Sequence, residues 1–140
     1  MAEAINQELR REIRARAGGR CEYCQILEAL LFAGCEVEHI VSRKHGGMTE
    51  LSNLALCCAR CNRAKGTDVG SIHPGSGEFV RLFNPRMDRW GEHFVIEGAR
   101  IVGLTPIGQV TVTLLRFNEA QRLLERMLLQ QAGRWRNPVF

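Results

Sequence analysis

Two CxxC pairs restrict how this chain can fold more than any other feature of its sequence. The pairs are Cys21–Cys24 and Cys58–Cys61, separated by residues 25–57. Each pair can turn tightly enough to offer two thiolates to one tetrahedral ion, and together they complete a closed four-cysteine site. Zinc fits best, because it accepts four sulfur ligands and has no redox chemistry. The spacing therefore predicts a structural zinc site; coincidental spacing or a redox CxxC is the alternative.

The remaining two cysteines and the hydropathy of the sequence indicate the cellular compartment of the protein. Cys35 and Cys57 are predicted to be buried thiols. The N-terminal sequence has no apolar core or cleavage site of a secretory signal. The longest apolar run is interrupted by Glu28 and is too short to span a bilayer. We therefore expect a cytoplasmic protein without a membrane partner, in which cysteines more often bind metal or pack in a core than form disulfides.

Length and charge give broader limits. With 140 residues, the chain is predicted to form a single domain over 1–140. The formal net charge is +4, and of the 19 basic residues only Lys44 and Lys65 are lysines. The planar guanidinium of arginine suits phosphate contacts, so this bias is compatible with nucleic-acid binding. A solvated basic surface explains it equally well.

The N-terminal segment has the pattern of an amphipathic helix. Ile5, Leu9 and Ile13 recur every fourth residue among charged neighbours. A helix is predicted over residues 3–17, ending at the two glycines that follow.

The C-terminal half is predicted to be mixed. Residues 66–79 are rich in turn formers and indicate a loop, and short strands are expected over 92–97 and 99–104. Thr105 is a suitable cap for a helix over 107–115, although part of that run would also suit a strand. In the last predicted helix, Asn118 is the expected cap, with Gln121 three residues on. Its expected apolar stripe consists of Ala120, Leu123, Leu124, Met127 and Leu128.

The segment between the two cysteine pairs holds polar residues that core packing does not require. "CEVEHIV" alternates like a strand, "SRKHGGMTELS" is a long polar loop, "NLALCC" is a second strand, and a helix can begin in "NRAKG". A zinc ion that ties the ends of this unit together would bring four polar side chains near one another. They are Glu38, His39, Asn53 and Asn62.

In this order and spacing, "CEYC", "EHI", "GG", "NL" and "CARCNRAKG" resemble the HNH nuclease motif in its four-cysteine, zinc-bound version. The resemblance covers a motif core at 21–66 and leaves a C-terminal extension at 67–140. It implies an α+β protein: a small ββα-metal core stapled by zinc, an N-terminal helix, and a mixed extension ending in a helix.

The resemblance also implies roles for the polar residues. His39 matches the general base that deprotonates the attacking water, and Asn53 matches the asparagine that orients this histidine by hydrogen bonding to its backbone. Glu38 and Asn62 match the ligands of a catalytic ion; Asn62 stands where the family often has a histidine. Two oxygen donors favour Mg²⁺ or Mn²⁺, with another divalent ion open. Glu38 and His39 point to opposite faces of a regular strand, so a bend is expected there.

The resemblance implies an endonuclease that hydrolyses DNA phosphodiester bonds. RNA stays open as a substrate, and no protein partner can be inferred. The expected phosphate contacts are Arg43, Lys44, His45, Arg63 and Lys65. The alternatives are a zinc-knuckle module that binds nucleic acid without cutting it, and a zinc domain that serves as a protein adaptor.

Overall fold

The computed structural model describes residues 5–135. The chain divides into two compact units, Met1–Thr67 and Asp68–Phe140. The division falls one residue beyond the predicted motif core, and the single domain over 1–140 stays a prediction. In the described part of the chain, none of the helices is long and apolar enough to cross a lipid bilayer.

The first unit begins with helix α1, Gln7–Ala17. The side chain of Asn6 caps it by accepting a hydrogen bond from the backbone N–H of Leu9 at 2.8 Å. The helix ends at Gly18, whose φ of 65° is left-handed, as predicted from the glycine pair. It starts later than expected because Asn6 takes the cap; residues 3 and 4 lie outside the described residues.

A β-hairpin followed by a helix forms the centre of this unit. Strand β1, Cys35–His39, pairs antiparallel with β2, Leu54–Cys58, from Cys35 opposite Cys58 to His39 opposite Leu54. Every residue of β2 is buried, and helix α2, Ala59–Lys65, follows it directly. The predicted α+β class and the strand–loop–strand–helix order are confirmed.

Two arginines of α1 hydrogen bond to the backbone of this hairpin. Arg14 Nη2 donates to the carbonyl of Cys35 at 2.9 Å. Arg16 donates to the carbonyls of Leu51 at 2.9 Å and Leu54 at 2.6 Å. Because these guanidiniums bond to backbone carbonyls of their own unit, part of the arginine bias is structural and does not reflect phosphate binding.

Between residues 68 and 135, the second unit contains two hairpins and three helices. Strands β3 (Gly70–Ile72) and β4 (Phe79–Arg81) form one hairpin, and β5 (Phe94–Glu97) and β6 (Arg100–Gly103) form the other. The helices are α3 (Trp90–His93), α4 (Pro106–Leu114) and α5 (Ala120–Gln131). The two strands predicted over 92–97 and 99–104 are confirmed with shorter bounds, whereas the loop predicted over 66–79 is wrong in part because it contains β3.

The start of α4 follows the prediction. Thr105 Oγ1 accepts from the N–H of Gly108 at 3.1 Å, and Pro106 is the first helical residue. The strand alternative for this run is therefore wrong.

The cap and the buried face of helix α5 differ from those predicted. The side chain of Asn118 hydrogen bonds to both backbone groups of Ile101, at 2.9 and 2.8 Å, and does not cap the helix. Arg122 and Arg126 are buried, and Leu124, Met127 and Leu128 are 50%, 41% and 53% exposed. The guanidiniums face inward because they donate to backbone carbonyls, among them Arg126 to Ala99 at 2.7 Å.

Candidate functional site

The four cysteines predicted to bind zinc lie together. Their Sγ atoms are all within 4.8 Å of one another, and each cysteine is buried. A tetrahedral ion with zinc–sulfur bonds of about 2.3 Å requires sulfurs about 3.8 Å apart. The Sγ atoms of Cys24 and Cys58 are 3.7 Å apart. The cluster therefore fits a structural zinc ion.

Backbone hydrogen bonds shape both cysteine turns. In the first turn, the N–H of Gln25 donates to the carbonyl of Cys21 at 2.9 Å, and Gln25 takes a left-handed φ of 70°. In the second, Cys58 Sγ accepts from the N–H of Cys61 at 3.4 Å, at the start of α2. The local fold therefore aims each pair of sulfurs at one point.

Burial acts on the protonation of these thiols. It raises the pKa of Cys21 and of Cys61 well above the usual range of a thiol. A cation is then needed to hold them as thiolates, and its binding releases protons. Cys35, outside the cluster, is also buried, and burial raises its pKa to about 12.

Asn53 fastens the long loop between β1 and β2. Its Oδ1 accepts from the N–H of Val41 at 2.9 Å, and its Nδ2 donates to the carbonyls of Val41 and Met48, both at 2.9 Å. The predicted bond to the backbone of His39 requires correction, because the side chain bonds to Val41, two residues further along the chain. Asn53 therefore closes the loop by joining its two sides.

The close approach within this loop explains the Gly-Gly pair. A Cβ atom on Gly47 would lie 1.7 Å from the carbonyl oxygen of Val41 and 2.7 Å from Nδ2 of Asn53. Gly46 has a φ of 85°, in the left-handed region that favours glycine. The two glycines let the backbone come within reach of Asn53.

His39 is at the end of β1 and is partly exposed. Its Nε2 lies 2.8 Å from Oγ1 of Thr49, and Nη1 of Arg43 donates to the same oxygen at 3.4 Å. Sequence reasoning missed Thr49, since a threonine in a polar loop gives no local signal of a contact ten residues back.

Glu38 and Asn62 are the predicted ligands of a catalytic ion. Strand pairing is regular through Glu38 opposite Ala55 and His39 opposite Leu54, and the bend expected between these two residues stays a prediction. Asn62 is partly exposed on α2. Within residues 5–135, the four-cysteine cluster is the only group of three or more His, Cys, Asp or Glu side chains close enough to share an ion.

The predicted phosphate contacts separate into two groups. Arg43, Lys44 and His45 are exposed on one short turn of the loop, and Arg63 is exposed on α2. Lys65 is only 5% exposed. The structure thus presents four of the five predicted side chains to solvent but not Lys65, whose prediction requires correction.

A further polar cluster lies in the second unit. Arg81 donates two hydrogen bonds to the carboxylate of Asp88, at 2.7 and 2.8 Å. Those hydrogen bonds hold the pKa of Asp88 below its usual range. His93 Nε2 lies 3.9 Å from this carboxylate, and its Nδ1 is 2.6 Å from Oγ1 of Thr105. Because Thr105 caps α4, this network joins the β4 hairpin to α3 and α4.

Residues 21–68 match the family model described as HNH endonuclease. The resemblance seen in the sequence is thereby confirmed for this segment, and the match supports a nuclease-type function in general. All the proposed catalytic, metal-binding and phosphate-binding residues lie inside it. No curated protein and no solved structure gives a significant match.

Proposed function

We propose that this protein is a metal-dependent endonuclease that hydrolyses DNA phosphodiester bonds, with His39 as the general base. One observation carries the proposal. Inside the family-matching segment, the imidazole of His39 is partly exposed at a strand end and is hydrogen bonded to a loop that Asn53 closes. A binding protein has no need for a histidine held in this way.

The chemistry requires an activated water and a cation at the phosphate. A neutral imidazole can take a proton from water at neutral pH. When bound, a divalent ion neutralises the charge that develops at the scissile phosphate and on the leaving oxygen. Glu38 and Asn62 would hold it, and their carboxylate and amide oxygens suit Mg²⁺ or Mn²⁺ better than a second zinc ion.

The zinc ion has a different role in this proposal. A site with four sulfur ligands has no open position, so it stabilises the fold and takes no part in hydrolysis. It fixes the start of α2, on which Asn62 and Arg63 lie, against the turn that carries Cys21.

Substrate binding in this proposal depends on exposed positive charge. Arg43, Lys44, His45 and Arg63 would contact phosphates on either side of the cut. These contacts read no bases, so we expect weak sequence selectivity and a strong dependence of affinity on salt.

Cleavage of supercoiled plasmid tests the proposal. The full chain is incubated without added metal, then with Mg²⁺ or Mn²⁺, and bound zinc is measured in each sample so that loss of zinc is not mistaken for a lack of the catalytic ion. We expect nicked or linear DNA only when Mg²⁺ or Mn²⁺ is present. His39→Ala protein, purified in parallel, reveals any contaminating nuclease, and His73→Ala is the control for loss of a histidine in the second unit. A labelled RNA of the same sequence compares the two substrates.

The second candidate is a zinc-knuckle protein that binds nucleic acid without cutting it. The four-cysteine cluster and the exposed basic residues suit this function equally well. Salt-sensitive DNA binding by the zinc-loaded protein, without a cut under any divalent ion, would favour it over the nuclease.

A further inference from the structure

We propose that Thr49 selects the tautomer of His39, so that Nδ1 is the nitrogen that takes the proton from water. The inference rests on the proposed nuclease function. Nε2 of His39 lies 2.8 Å from Oγ1 of Thr49. Nδ1 makes no hydrogen bond to any residue in the part of the chain that the structure describes.

A neutral imidazole carries one N–H group and one lone pair, so the partner of one nitrogen determines what the other can do. If Nε2 carries the hydrogen and donates it to Thr49, the lone pair of Nδ1 is open to water. If Thr49 donates to Nε2, the hydrogen is on Nδ1 and His39 has no open lone pair. Only the first arrangement makes His39 a base.

The surroundings of Thr49 are compatible with an acceptor role. A hydroxyl oxygen has two lone pairs, and Nη1 of Arg43 donates to Oγ1 of Thr49 at 3.4 Å. The second lone pair is then available to Nε2–H of His39. Thr49 can accept both hydrogen bonds while its own hydrogen points elsewhere.

Asn53 explains why Thr49 lies in reach of His39. Nδ2 of Asn53 holds the carbonyl of Met48 at 2.9 Å, one residue before Thr49, and also holds the carbonyl of Val41. Asn53 therefore orients the histidine indirectly, by placing Thr49. Thr49 is a positioning residue in this mechanism, because it touches the base and not the substrate.

The proton balance of the step is simple. The O–H bond of water breaks, its proton goes to Nδ1 of His39, and its electron pair forms the new phosphorus–oxygen bond. The bond from phosphorus to the leaving 3′ oxygen breaks, and that oxygen takes a proton from solvent. The imidazolium then carries hydrogen on both nitrogens, so its Nε2–H bond to Thr49 persists throughout.

The test measures the tautomer directly, without substrate or added divalent ion. Nitrogen-15 NMR of the histidine-labelled full chain distinguishes Nδ1–H from Nε2–H imidazoles, and a His39→Asn sample assigns the signal of His39. We expect the Nε2–H form in the native protein and in Thr49→Ser, and a larger share of the Nδ1–H form in Thr49→Val. An Nδ1–H tautomer in the native protein overturns the inference, whether or not Thr49→Val folds.

Kinetics provide the second readout. Thr49→Val should lower kcat by about tenfold, the scale of one hydrogen bond, with KM nearly unchanged, and Thr49→Ser should restore most of kcat. Equal kcat values in Thr49→Val and the native protein would also overturn the inference. If the Nε2–H tautomer depends on Thr49 and no DNA is cut, the nuclease proposal fails and the tautomer assignment stands. If DNA is cut and His39 carries its hydrogen on Nδ1, only the present inference fails.

Discussion

The side chain of Asn53 hydrogen bonds to both backbone groups of Val41, with its Oδ1 2.9 Å from the N–H nitrogen and its Nδ2 2.9 Å from the carbonyl oxygen. Such a pair of bonds fixes both the position and the direction of the chain just beyond β1. Asn53 therefore joins the two sides of the loop that carries Thr49 and Arg43.

Asn53→Ala should destabilise the protein and abolish most cleavage. Loss of a side chain with three hydrogen bonds leaves partly buried backbone groups unpaired, which costs about 2 kcal/mol in the free energy of unfolding. Urea denaturation measures this loss. Ser52→Ala is the matched control: within residues 5–135 the neighbouring hydroxyl bonds only to exposed Glu50, so its removal should cost almost nothing. Equal stability of the two variants would show that Asn53 does not hold the loop.

Cys58→Ser should lose the bound zinc and unfold much of the first unit, since binding energy at a closed zinc site is folding energy. Metal analysis of the purified protein and its melting curve measure both effects. Cys35→Ser is the control: this thiol is equally buried but lies outside the four-cysteine cluster, so zinc content should be unchanged. A Cys58→Ser protein that retains one zinc ion per chain would refute the four-cysteine assignment.

Arg63→Ala and Lys65→Ala should have different effects on DNA binding and on stability, although both remove one positive charge from α2. Arg63 is exposed, so its loss should weaken DNA binding to unrelated sequences alike and make the slope of log affinity against log salt shallower by about one unit. Lys65 is buried, so its loss should lower stability and leave the salt slope nearly unchanged. The reverse pattern in fluorescence-anisotropy titrations would contradict the placement of these two side chains.

The stability of the second unit should depend on pH through the ionisation of Asp88. Hydrogen bonds from Arg81 lower the pKa of Asp88 from its ordinary value of 3.8, so its contribution to stability is fully present above that value. The contribution is lost as pH falls through the lowered pKa of the folded state. Asp88→Asn should therefore be less stable than the native protein at pH 7, and the difference should shrink in acid. Urea denaturation at several pH values measures it, with exposed Asp68→Asn as the control. A difference that does not change with pH would show that the ion pair contributes nothing.

The sequence was sufficient to predict those features that depend on local spacing. The CxxC pairs, the two strands around the polar loop and the Thr105 cap each follow from residues close together in the chain. The roles of Arg14, Arg16 and Arg126 could not be predicted in this way. Hydrophobic periodicity gives no information on hydrogen-bond partners, and these guanidiniums donate to backbone carbonyls of distant segments.

The candidate site could likewise be predicted only in part. Its residue types and order predicted Glu38, His39, Asn53 and Asn62, but the partner of each depends on how the loop closes. Thr49 lies within reach of His39 in the loop where Asn53 holds the carbonyl of the residue before it, and that relation has no signature in the spacing.

The rate of DNA cleavage by His39→Ala, measured in the same samples as DNA affinity and zinc content, tests the assignment of His39 most directly. Removal of a general base lowers the rate by about a hundredfold or more and leaves the fold, the zinc ion and the phosphate contacts in place. We expect that loss of rate at saturating DNA, with affinity and zinc content equal to those of the native protein. Undiminished cleavage by His39→Ala would contradict the proposed mechanism.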